Sequence, residues 1–171
     1  KHKTALITGA SGGIGKALAF EMAAAGHDLI LVARNRERLE STMKTIQEEH
    51  KVGVAIYEQD LSVPGAAHEL FQKIDHDRMR IDMLVNNAGI GDYNLFQNAD
   101  RTKLVNMINL NVTALTELCH LILPQMIERG YGKIMNVAST AAFMPGPLMA
   151  TYFATKAYVL HFSEAIGNEL K

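Results

Sequence analysis

A chain of 171 residues, 48% hydrophobic and 20% charged, can bury one substantial core and is too apolar for a disordered tail. Seventeen basic against eighteen acidic side chains leave a formal charge of −1, which excludes bulk attraction to nucleic acid or anionic membrane and leaves only a local basic patch open. The single Cys119 excludes an internal disulfide, and the seven histidines lack metal-ligand spacing, so no metal site is expected.

The start, "KHKTALITGA", is basic, but its apolar run soon meets glycines, so it reads as a first strand and not as a signal peptide. No uninterrupted apolar run approaches the roughly 20 residues that span a bilayer. A cytoplasmic location is therefore the expectation, and the lone Cys119 in "LTELCHLIL" reads as a buried structural thiol. After "TALITG", the alanine-rich "GIGKALAFEMAAAG" predicts a helix stopped at Gly26. "DLILVA" is a second strand, followed by a charged helix from about Arg36 to His50. "GVAIYEQD" and "IDMLVNNAG" supply the third and fourth strands, with a helix after Pro64 between them. One long helix is expected from an Asp100 cap to Gly130, bent at Pro124, where a helix hydrogen bond is lost. "GKIMNVAS" is a fifth strand, and a last helix carries Tyr152 and Lys156.

Strand and helix alternate throughout, and the strands are nearly continuous in apolar residues. That pattern predicts an α/β fold with a parallel sheet covered on both faces by helices. Right-handed crossovers make it a Rossmann-type doubly wound sheet, ordered 3-2-1-4-5. Ligands of such sheets bind beyond the carboxyl ends of the strands. That edge collects Gly9 and its loop, Arg34, Asp60, Asn86 to Gly89 and Ser139.

"TGASGGIG" joins the first strand to the first helix. A tight turn there brings backbone close to a pyrophosphate, and the helix start offers unsatisfied N–H groups and the positive end of its dipole. Glycines alone would read as a structural turn, but the strand-to-helix context points to a dinucleotide held by Gly9, Ser11, Gly13, Ile14 and Gly15. An NAD site usually carries an acidic residue about 20 positions further on. Here that count reaches Ala33 and Arg34, and Asp28 lies at the wrong end of the strand. A guanidinium pairs with a 2′-phosphate, so Arg34 predicts NADP, with Ser11 and Arg38 as further donors and NAD as the alternative. The plainer reading of Arg34 is a solvated strand end.

"ATYFATKAYV" puts Tyr152 and Lys156 one helical turn apart on one face. A hydride delivered to a carbonyl leaves an alkoxide that needs a proton, and a cation beside a phenol favours its ionised form. Ser139 ends the fifth strand, and its hydroxyl can donate to the developing oxyanion. It lacks the His–Asp pair that a nucleophilic serine needs.

The spacing TG-x-x-x-G-x-G through Thr8, Gly9, Gly13 and Gly15, then "NNAG" at 86–89, Ser139 and Tyr152-x-x-x-Lys156, occur in this order. In them the chain resembles the short-chain dehydrogenase/reductase family from residue 3 to its last residue. The resemblance implies a one-domain NADP(H)-dependent oxidoreductase acting on a small-molecule carbonyl or alcohol. Tyr152 would be its acid/base, Ser139 the substrate-orienting donor, and Lys156 the partner of Tyr152 and of the nicotinamide ribose. Asn111 in "NMINLNVTAL" matches a helix asparagine that holds a relay water, while Asn106 and Asn109 lie nearby. Asp60 and Leu61 would meet the adenine. Asn87, Ala88 and Gly89 would wall the adenosine site or, with Asn86, brace the central strand.

The resemblance also implies a homodimer or homotetramer, paired through helices around Leu115 to Ile127 and Tyr158 to Leu170. The competing reading turns Leu118, Ile122, Phe162 and Ile166 toward the sheet. Family members continue through further strands and a substrate-covering segment, whereas this chain stops at "GNELK". Residues 1–171 are thus expected to form a single dinucleotide-binding domain, C-terminally incomplete relative to the family. "STAAFMPGPLMATY" carries an apolar rim through Phe143, Met144, Pro145, Pro147 and Leu148, which fits a lipophilic carbonyl and also ordinary packing. The alternative function is a non-catalytic dinucleotide-binding or sensing module, which would not need Ser139, Tyr152 and Lys156 together.

Overall fold

In the computed structural model, which describes residues 3–170, the apolar runs pair edge to edge into one parallel sheet. Strands β1 (Thr4–Thr8), β2 (Asp28–Ala33), β3 (Val54–Glu58), β4 (Met83–Asn86) and β5 (Lys133–Asn136) lie in the order 3-2-1-4-5, as predicted. Between them run α1 (Gly13–Ala24), α2 (Arg36–Glu49), α3 (Ala66–His76) and the helical stretch α4 (Arg101–Ile108) to α5 (Leu115–Glu128). Helix α6 (Ala150–Glu169) follows β5. Leu6 in the central strand stands opposite Ile30 on one side and Leu84 on the other.

Side chains alternate across each strand, so the sheet has two apolar faces. Leu6, Ile30 and Leu84 meet Leu70 and Ile74 of α3 and Leu118 and Ile122 of α5. On the opposite face Ile7, Leu31 and Val85 meet Ala19 and Ala23 of α1 and Leu39 and Ile46 of α2. None of these is more than 2% exposed, so each larger one contributes about 1.5–3 kcal/mol by burial. Helix α1 buries Gly15, Ala19 and Ala23, one per turn, and these small residues let it lie close to the strands.

The predicted single helix from Asp100 to Gly130 has the expected ends. The Asp100 side chain accepts from the Lys103 N–H at 3.0 Å, and Gly130 terminates the run at φ +63°. Its irregularity, however, is not at Pro124, which lies within α5. It is a widened π segment at Asn109–Ala114. By length and composition the stretch Arg101–Glu128 could cross a bilayer, with an 18-residue window of mean hydropathy 1.2, which reading uninterrupted apolar runs did not reveal. Leu115, Leu118, Ile122 and Met126 account for that apolarity by lying in the core beneath it.

Other differences concern the strand ends and one sheet face. Gln59–Asp60 and Asn87–Gly89, predicted as strand, leave the sheet beyond β3 and β4. Helices flank both faces of the sheet, as predicted, and the contacts of β5 differ on its two sides. Ile134 packs into the core and Asn136 bonds Ser163 of α6, while Met135, on the other face, is 47% exposed.

Candidate active site

The cleft lies where the predicted edge should be, beyond the carboxyl ends of the strands. It consists of two basins, of about 620 Å³ and about 910 Å³, which share Gly9, Ala88, Gly89 and Ile90. Both exceed the lower end of the usual range for ligand pockets, roughly 300–1,000 Å³.

Its floor is the β1–α1 loop, packed against the loop after β4. Gly9 turns at φ +68°, and a Cβ there would stand 2.8 Å from the Asn87 amide nitrogen. A Cβ on Gly15 would run into the Gly9 carbonyl oxygen, so neither position tolerates a side chain. The two loops are joined by Thr8, whose Oγ1 accepts from the N–H groups of Asn87 and Ala88, both at 3.0 Å. Asn87 Nδ2 donates to the Thr8 carbonyl at 2.9 Å and, more weakly, to that of Gly9 at 3.5 Å. Asn86 Nδ2 donates to Asn136 Oδ1 at 2.9 Å, tying β4 to β5. Bracing, the second of the two roles expected of these asparagines, is what their side chains do.

Ser139, Tyr152 and Lys156 converge on the larger basin with Gly13, Ile14 and Asn87. Ser139 Oγ accepts from the Ala141 N–H at 3.1 Å, which leaves its own hydrogen free to be donated into the cleft. Lys156 is only 7% exposed, and burial holds its ammonium pKa below the ordinary lysine range. Its Nζ donates to the Val137 carbonyl at 2.7 Å and lies 5.9 Å from the centre of the Tyr152 ring. The predicted stacking of the pair on one helix face is therefore present.

Asn111 sits in the π segment and is 2% exposed. Its Oδ1 accepts from the Ile90 N–H at 3.0 Å, and Nδ2 donates to the Ile90 carbonyl at 2.9 Å and to Thr155 Oγ1 at 3.0 Å. Both amide hydrogens are thus spent, leaving a spare Oδ1 lone pair for any water.

Arg34, Ser11, Asp60 and Leu61 line the smaller basin, which Ser139, Tyr152 and Lys156 do not line, with Arg38 and Asn35 beside them. The Arg34 side chain is 65% exposed and its Nη1 lies 3.9 Å from Asp60 Oδ2. Asp60 Oδ1 is occupied by Ser62, accepting from its N–H at 2.9 Å and its Oγ at 2.7 Å. Leu61 is buried behind them.

The sequence reading missed the Thr8 clasp, Thr155 behind Asn111, Asn35, Ile90, which lines both basins, and Val137, which accepts from Lys156. Asn35 caps α2 by accepting from the Arg38 N–H at 2.8 Å, and Asn before a helical run was a legible signal for it. Thr8 and Thr155 act on distant residues and left no local signal. Cys119 is buried and its thiol is pushed up to about 11, as expected of a structural cysteine. No cluster of potential metal ligands occurs among the described residues.

The cleft fits a dinucleotide. Helix α1 starts without a side-chain cap or an acidic residue in its first turn, so its end remains free for an anion. A Cβ on Gly12 or Gly13 would meet nothing within 4 Å, so the floor there is open. The family model described as short chain dehydrogenase matches residues 3–171. The chain belongs to the short-chain dehydrogenase family. It is 38% identical over 169 residues to Hydroxysteroid dehydrogenase-like protein 1 of Gallus gallus, covering 96% of this chain and 50% of that protein. A Homo sapiens relative, 37% identical over 96% of this chain and 50% of its own length, is named Inactive hydroxysteroid dehydrogenase-like protein 1. Very-long-chain 3-oxoacyl-CoA reductase-B of Danio rerio is 35% identical over 99% of this chain and 55% of its own length. Among solved structures, a short-chain dehydrogenase from Sphingobium yanoikuyae in complex with NADPH superposes with a TM-score of 0.92. It is 38% identical, and the match covers 98% of this chain and 66% of that one. The chain spans about half the length of the curated relatives it matches.

Proposed function

We propose that this short-chain dehydrogenase is an NADP(H)-dependent oxidoreductase that interconverts a small-molecule carbonyl and alcohol, with Tyr152 as general acid/base. The observation that carries this reading is the convergence of Ser139, Tyr152 and Lys156 on the basin floored by the glycine loop. Gly9, Ser11, Gly13 and Gly15 would hold the diphosphate, and a nicotinamide bound beyond them supplies or accepts the hydride. In the reducing direction the Tyr152 hydroxyl gives its proton to the oxygen on which negative charge develops. The Ser139 hydroxyl, free to donate, holds the same oxygen in place. Lys156, steadied by the Val137 carbonyl, provides positive charge beside the phenol and a donor for the ribose. Asn111 would support a water on the proton path through its remaining Oδ1 lone pair. Arg34, with Ser11 and Arg38, would take the 2′-phosphate, and the NADPH-bound relative supports that preference over NAD.

The second reading, a binding module without turnover, is favoured by the human relative named as inactive. The Tyr152→Phe variant separates the two. Its cofactor affinity, read by NADPH fluorescence, should stay near the parent's, while carbonyl-dependent NADPH oxidation falls by roughly 10²–10⁴-fold. A parent that binds NADPH and turns over no carbonyl would establish the module instead.

A further inference from the structure

The π segment carries a second asparagine that the proton path does not use. Asn109, two residues before Asn111, reaches the loop after β3, where its Nδ2 donates to the Ser62 carbonyl at 3.1 Å. Ser62 is only 6% exposed, and its N–H and Oγ both donate to Asp60 Oδ1. The other Asp60 oxygen faces the Arg34 guanidinium at 3.9 Å. A line of contacts therefore runs from the π segment through Ser62 and Asp60 to Arg34. Leu110, between the two asparagines, lines the same smaller basin and packs against the core.

The order of these contacts decides which group holds which. The Arg34–Asp60 pair is largely in solvent, and an ion pair so exposed fixes neither partner. The Asp60 carboxylate is instead set by its two bonds from Ser62. The backbone there is pinned by buried Leu61 on one side and by the Asn109 amide, 47 residues along the chain, on the other. A leucine in place of Asn109 would leave the carbonyl of a buried residue without this donor.

We propose that Asn109 is a positioning residue for the adenosine half of the cofactor, acting through Ser62 and Asp60 on the wall of the smaller basin. Asn111 serves the reacting half from the same π segment. The inference rests on the dinucleotide reading of the cleft, since it assigns the smaller basin to the adenosine end.

The test splits the cofactor in two. Calorimetric titration with 2′,5′-ADP, which carries the adenosine and the 2′-phosphate, reports on the smaller basin. Reduced nicotinamide mononucleotide, which lacks both, reports on the larger one through its fluorescence. Asn109→Leu should weaken 2′,5′-ADP by about 2- to 12-fold, the range of one hydrogen bond, and leave the nicotinamide fragment unchanged. Ser62→Ala should show the same selective loss. The double variant should lose less than the product of the two, because both residues act along one line of contacts. Equal losses for the two fragments would mark a general disturbance of the fold and overturn the assignment. Fully multiplicative losses, or an unchanged 2′,5′-ADP affinity in Asn109→Leu, would overturn it as well and leave the dinucleotide reading standing. A parent that binds neither 2′,5′-ADP nor NADPH would defeat the dinucleotide reading and this inference together.

Discussion

Lys156 is an ammonium kept where ammonium ions are disfavoured. Burial lowers its pKa in the folded state below the value of a free lysine. Below the folded pKa it is charged in both states, and its burial reduces stability. As pH rises from the folded value toward the unfolded one, near 10.4, that cost is relieved, because the unfolded chain then binds more protons. The parent should therefore gain stability relative to Lys156→Met as pH rises through the alkaline range toward the unfolded value, about 10.4. Urea unfolding of both proteins across that window is the measurement, and a constant difference would remove burial as the cause. Arg34 presents the opposite environment, a guanidinium mostly in solvent beside Asp60. If it holds a 2′-phosphate, Arg34→Ala should weaken NADP binding by roughly 10- to 100-fold, the range of a charge-assisted hydrogen bond, and leave NAD unaffected. Equal losses for both cofactors would assign Arg34 to the strand end alone.

The π segment is the element on which the site depends most. Widening the helix at Asn109–Ala114 puts Asn111 inside, where it satisfies both backbone groups of Ile90 and meets Thr155 of α6. One side chain thus joins the π segment, the loop after β4 and α6. Asn111→Leu would leave the Ile90 N–H and carbonyl without these partners, at a cost of about 2–4 kcal/mol. Ile90 lines both basins, so cofactor affinity should fall with stability. Chemical denaturation and a cofactor titration test this together. A variant as stable as the parent would show that the π segment holds without the amide.

For the molecule as a whole, the remaining question is what covers its exposed apolar helix residues. Leu118 and Ile122 lie in the core and Phe162 packs against it, toward the sheet as the competing reading expects. Val105, Ile108, Ile127 and Tyr158 remain exposed at 42%, 44%, 59% and 37%. A formal charge of −1 opposes pairing only weakly. We therefore propose self-association through α4, α5 and α6, and light scattering at micromolar concentration should give at least twice the monomer mass. Replacing Ile108 and Tyr158 by charged residues should then release monomers. A parent that scatters as a monomer would reject the interface.

Local chemistry determined most of the framework. Alternating strand and helix patterns, with the right-handed crossover, sufficed for the order 3-2-1-4-5, and the glycine spacing and the Tyr152–Lys156 turn were each readable within a few residues of chain. The Asp100 cap and the Gly130 stop were equally local. Only the tertiary structure decided that Thr8 clasps Asn87, 79 residues away, that Asn94 meets Leu148, and that the long helix widens at Asn111 instead of bending at Pro124. The physical reason is the same in each case. Periodicity and capping are set by neighbours along the chain, whereas these contacts exist only because packing brings together polar groups that must find partners once buried.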